Sequence, residues 1–132
     1  MRAMTMALIL SLSAGALSAK PHLRDVPEVD GTLLSVGIAD EIRKNCPDIS
    51  ARMMKALGVV RSVGARAREL GYTDAEIDAY RKSDTEKDRL RAKRDAYLAS
   101  AGATPGSSEG YCQLGRTEIE KGSLVGALLR MN

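Results

Sequence analysis

The sequence predicts an all-α fold, a small bundle of about five helices closed by one disulfide. Three observations predict it. Apolar residues recur at three- and four-residue spacing in successive segments, the signature of one buried helical face. Thr73-Asp74-Ala75-Glu76 and Ser83-Asp84-Thr85-Glu86 have the spacing of capping boxes, and Gly71, Gly102 and Gly122 stand where helices end. The chain holds two cysteines, Cys46 and Cys112, behind an N-terminus of export type. No segment alternates apolar and polar residues as a half-buried strand would, so no strand is expected.

That N-terminus has Arg2 as its positive region, an apolar stretch from Met6 to Leu12 and a small-residue segment from Ser13 to Ala19. Residues 1–19 are therefore expected to be a signal peptide. Cleavage after Ala19 is preferred, with Ala14-Gly15-Ala16 as a second site. The alternative of an uncleaved membrane anchor is disfavoured, because the apolar run is well short of the roughly 20 residues of a bilayer span and the segment contains Ser11, Ser13, Gly15 and Ser18; after cleavage the mature chain is not expected to cross a membrane. Removing 19 of the 132 residues leaves 113, enough for the single helical domain expected over residues 20–132. The destination is the periplasm or the exterior.

Lys20 to Glu28, with Pro21, Pro27 and the lone histidine His22, is expected to be an extended lead-in. Asp30 is a plausible N-cap for the first helix, which runs to Asn45 with Leu34, Ile38 and Ile42 on one face. Asn45-Cys46-Pro47-Asp48 is a turn. The second helix spans about Ile49 to Leu70, with Ile49, Met53, Leu57, Val60, Val63 or Gly64, Ala67 and Leu70 on its inner face. The capping box at Thr73 opens a short third helix holding Ile77 and Tyr80, and that at Ser83 opens a fourth holding Leu90, Tyr97 and Leu98. Residues 102–110 form a loop. A fifth helix places Tyr111, Leu114, Gly115 and Ile119 inward, and Gly122-Ser123 leads into a last apolar turn with Leu124, Val125, Leu128 and Leu129.

Export makes a disulfide the favoured state of Cys46 and Cys112. Closing a loop of 66 positions is worth on the order of 4 kcal/mol in the chain-entropy model. That matters in a chain whose aromatics are four Tyr, with no Phe or Trp to fill a core. The rival is a redox thiol at Cys46, lying just before a helix whose N-terminal dipole would lower its pKa. No C-x-x-C and no nearby histidine accompany it.

The remaining constellations favour structural roles. Arg81 to Asp95 is the most charged stretch, but alternating signs mark a solvated helix surface with a few weak ion pairs rather than a nucleic-acid stripe. A net charge of +3, or +2 without Arg2, implies no polyanionic partner. Asp74, Glu76 and Asp78, and Glu118 with Glu120, are spaced i,i+2 and point apart on a helix, so caps and exposed faces suit them better than acid–base pairs. One histidine and two cysteines form no ligand cluster, so no metal or cofactor is expected. Leu124, Val125, Leu128 and Leu129 are the candidate partner contact; docking on the chain's own core is the favoured alternative in an aromatic-poor domain.

Ile38-Ala39-Asp40, Ile42-Arg43, Asn45-Cys46, Ile49 and Arg52, then Gly71-Tyr72 with Glu76-Ile77, then Cys112, Gly115-Arg116, Glu118-Ile119, Gly122-Ser123, Gly126 and Leu128-Leu129-Arg130 resemble domain of unknown function family 5333. The resemblance covers most of the mature chain. It implies a small exported helical protein of alphaproteobacteria and supplies no catalytic residues. Some relatives resemble products encoded among respiratory complex I genes, which implies an accessory or assembly role with a protein partner at the inner membrane. The expectation is therefore an exported, non-enzymatic protein with a structural or interaction role. A thiol-redox protein using Cys46 and a metal or small-ligand carrier are the alternatives.

Overall fold

In the computed structural model, which describes residues 19–132, a 3-10 turn at Leu23–Asp25 leads into helix α1, Pro27–Asn45. Pro27 occupies the first turn, where its fixed φ suits a helix and its missing N–H costs nothing. The helix thus starts ahead of the expected cap. Asp30 is not an N-cap but a first-turn residue, and it is buried.

The expected second helix is two elements. Ile49–Ala51 is a short strand, β1, and α2 begins at Met53 and runs to Glu69. Strand β1 pairs antiparallel with β2, Leu129–Met131, in the register Ile49↔Met131, Ser50↔Arg130 and Ala51↔Leu129. The Arg52 N–H extends the join by donating to the Leu128 carbonyl at 2.8 Å. This overturns the expectation of no strand. β-branched Ile49 suits extended backbone, and its partner lies some 80 positions away, beyond any local pattern.

Helices α3, Asp74–Lys82, and α4, Asp84–Ser100, follow. The Thr73 box is complete: Thr73 Oγ1 accepts from the Glu76 N–H, and Glu76 accepts from the Thr73 N–H at 2.7 Å. At Ser83 only the first half forms, the hydroxyl accepting from the Glu86 N–H, because the Glu86 carboxylate turns inward to Arg24 and Arg89. Helix α5, Ser108–Lys121, stops at Gly122, whose φ of 66° is the left-handed cap that glycine adopts at little cost. Helix α6, Leu124–Ala127, is capped by Ser123 Oγ. The chain is all-α in class, with a two-stranded ribbon fastening its end. None of these helices is long and apolar enough to cross a membrane.

Two apolar clusters form the interior. The larger joins α1, β1, α4, α5, α6 and β2 around Ile42, Cys46, Leu98, Leu128 and Leu129. The smaller gathers Leu23, Val26, Val29, Val63, Ala67 and Tyr72 where the lead-in crosses α1 and α2. The expected signal peptide lies outside the described residues, apart from its last position.

Candidate functional site

Cys46 and Cys112 are joined, with Cα atoms 5.1 Å apart, and are 1% and 6% exposed. Cys46 does not precede a helix. It caps the C-terminus of α1, where the dipole disfavours a thiolate, so the premise for a reactive Cys46 is removed. Asp48 brings a carboxylate within 4.8 Å of both sulfurs, but sulfurs bonded to each other offer a metal no thiolate.

The C-terminal apolar residues are taken up by the chain itself. Val125, Leu128 and Leu129 are 5%, 1% and 1% exposed in the larger cluster, and Leu124 packs half-buried against it. Three of the four are thus spent on the core, and Leu124 keeps part of its surface. His22 is exposed.

Glu118 is not on an exposed polar face. It is buried and receives the Tyr97 hydroxyl at 2.5 Å and the Ser123 hydroxyl, tying α4, α5 and the cap of α6 together. Burial raises its pKa, but these hydrogen bonds and the charge of Lys121 outweigh that and hold it below the usual value. The hydrogen bond to Glu118, aided by burial, pushes Tyr97 up to about 12. Asp74, Glu76 and Asp78 behave as expected, in surface pairs with Arg68, Lys20 and Arg81.

The charged stretch differs from a plain solvated face. Arg89 links Glu86 to Asp30, Lys93 reaches the other Asp30 oxygen at 2.6 Å, and Arg24 closes on Glu86 from the lead-in. Asp30 and Glu86 are 4% and 8% exposed. Desolvation opposes their ionisation, yet the hydrogen bonds and charges of these cations prevail and lower both pKa values. The network locks the lead-in, α1 and α4 together, with Tyr80 of α3 at its edge.

Between the two apolar clusters lies an apolar groove of about 550 Å³ that sequence reasoning did not identify. Leu33, Val36, Gly37 and Ala39 of α1 line it; Met53, Ala56, Leu57, Val60, Val63, Gly64 and Ala67 of α2 form one wall; Ile77 and Tyr80 of α3, Leu90 of α4, Leu23 of the lead-in and Leu128 after α6 are among the others. Its cause is compositional. Small side chains occupy Gly37, Ala39, Ala56, Gly64 and Ala67, and the chain has no Phe or Trp to reach across. Met53, Leu57 and Val60, expected on a buried face, are 56%, 46% and 43% exposed. The pattern of α2 was a genuine apolar stripe, but only Val63 and Ala67 of it are covered. The available signal was a long apolar face of small residues without a bulky partner.

Residues 21–130 match the model of a family of unknown function, DUF5333. The chain belongs to this family. The DUF5333 match spans both cysteines, the buried ion network and every residue that lines the groove. No curated protein and no solved structure matches the chain.

Proposed function

We propose that this DUF5333 member is an exported, non-catalytic binding protein that receives a partner protein in the groove between α1, α2 and α4. The half-exposed apolar wall of α2 carries the reading. An uncovered apolar surface forgoes roughly 25 cal/mol for each Å² left in water, and contiguous patches of this kind mark interaction sites. The apolar C-terminus is packed in the core and gives the groove Leu128 as part of its lining, so it does not close it. The groups suited to chemistry are otherwise engaged: the cysteines in a disulfide, Glu118 with Tyr97 and Ser123, Asp30 and Glu86 with cations. Export is supported by the form of the N-terminus and by the disulfide, which persists in oxidising compartments.

Affinity isolation of the full chain from its native host, beside Leu57→Asp, tests this. Leu57 is 46% exposed, so the variant is expected to keep its helical circular dichroism and melting temperature. One protein is expected to co-purify in near-equal amount with the wild type and to be lost from the variant. Equal recovery with both, or substrate turnover by the purified chain, overturns the proposal.

A further inference from the structure

We infer that the element received by the groove is an amphipathic helix with an acidic flank. The inference rests on the binding role proposed above and adds the chemistry of the partner. From Met53 to Arg68, helix α2 holds Lys55, Arg61, Arg66 and Arg68 and no acidic residue; its one acid, Glu69, ends it. Its ion pairs are made by Arg66 and Arg68, and among the described residues neither Lys55 nor Arg61 has a carboxylate partner. At 100° per residue Arg61 falls on the flank of α2 shared with Leu57 and Met54, four and seven positions earlier, so a cation stands beside the exposed apolar wall.

The lining charges have the same bias. Arg43, Arg81 and Lys87 line the groove together with Asp40 and Glu86; Arg43 is spent on Asp40, which Lys44 also holds, and Glu86 is held by Arg24 and Arg89 from outside the lining, so Arg81 and Lys87 are the surplus. Arg81 and Lys87 are exposed and lean on Asp78 at 3.3 Å and Asp84 at 3.9 Å, surface pairs that a stronger acidic neighbour can displace. An apolar trough with surplus positive charge at its margin complements an apolar face bordered by carboxylates.

A helix fits better than a flexible acyl chain. Sites for small apolar ligands enclose most of the ligand surface, whereas this wall is about half open to solvent along Met53, Leu57 and Val60. Those residues, with Gly64, recur at spacings of four, three and four, the ridge into which another helix packs. A helix also brings its own polar back to cover the opening. A second copy is disfavoured, because joining two α2 walls brings together two helices that each carry Lys55, Arg61, Arg66 and Arg68 against the one acid Glu69.

The test uses the purified, disulfide-bonded chain and a panel of labelled helical peptides that share a Leu/Ile face and carry either Glu or Lys along its flanks, followed by fluorescence anisotropy. Glu-flanked peptides are expected to bind about 10-fold more tightly than Lys-flanked ones at low salt, with the gap narrowing as salt screens it. Arg61→Glu is expected to reverse that preference without changing the melting temperature. Equal affinity for both flanks, or no reversal in Arg61→Glu, overturns the acidic-helix inference and leaves the groove as a binding site. Binding of neither peptide set overturns both. Dimerisation abolished by Leu57→Asp, or a co-purified fatty acid found by native mass spectrometry, also overturns the inference.

Discussion

Replacing both cysteines, Cys46→Ala with Cys112→Ala, measures what the bridge does. It ties the C-cap of α1 to the first turns of α5, across 66 positions. Loop-closure entropy restored to the unfolded chain amounts to about 4 kcal/mol, and deleting two buried sulfurs from the larger cluster adds about 1 kcal/mol. A total of about 5 kcal/mol is comparable to the whole stability of a marginal domain. The melting temperature should fall by roughly 20 °C for a domain of this length. Urea unfolding followed by far-UV circular dichroism is the assay. The midpoint should fall sharply, and the m-value should rise as the uncrosslinked unfolded chain exposes more surface. A loss below about 1 kcal/mol would refute the scaffold role. Ready reduction in a glutathione buffer would return the pair to redox chemistry.

Three further expectations concern packing and charge. A Cβ on Gly126 would stand 1.9 Å from the Glu118 carbonyl oxygen, a backbone atom that cannot step aside, so Gly126→Ala should cost about 3 kcal/mol in urea unfolding. On Gly115 the nearest conflict is with Ile49 Cδ1 at 2.4 Å, the free end of a side chain, and the other is with Ile42 Cγ2 at 2.9 Å, so Gly115→Ala should cost about half as much; the reverse order would refute the backbone contact of α6 on α5. Asp30→Asn leaves Arg89 and Lys93 facing a neutral amide, and because both cations retain solvent access the loss should be about 2 kcal/mol by the same assay. Asp30, Asp40, Glu86 and Glu118 titrate below their ordinary values of 3.8 and 4.5 when folded, so the unfolded chain takes up protons first. Their contribution is complete above the ordinary values and lost as pH falls through the lowered ones. The urea midpoint should hold from about pH 8 to 5 and drop below about pH 4; a flat profile down to about pH 3 would refute the network's role.

The features that local pattern encodes were readable from the chain. The Thr73 box needs only residues three apart, the Gly122 stop only a left-handed turn, and the cysteine pairing only the fact that two cysteines allow one partner each. What escaped depends on distant partners. Arg89 reaches Asp30 across 59 positions, and Arg24 reaches Glu86 across 62. Spacing does set Glu86, Arg89 and Lys93 on the face of Leu90 and Tyr97, apart from the solvated Asp88 and Arg91, but it names none of the distant partners that let those charges turn inward. Ile49–Ala51 looks helical beside α2 because it continues the same apolar rhythm; only Leu129–Met131 makes it a strand.

The groove was hidden for a different reason, since it arises from side chains that are absent. Periodicity alone places an apolar stripe in the interior, whether or not enough side-chain volume faces it. On α2 the stripe is real, but opposite it α1 presents Gly37 and Ala39, and no Phe or Trp exists anywhere in the chain to fill the space between. The poverty in aromatics that makes a disulfide valuable has a second consequence. The cross-link stabilises the larger cluster from within, at Cys46 and Cys112, while the gap beside the smaller one stays open. A domain held by a covalent tie can keep an apolar wall in water that a core relying on burial alone would close. The same composition thus accounts for the scaffold and for the surface it presents.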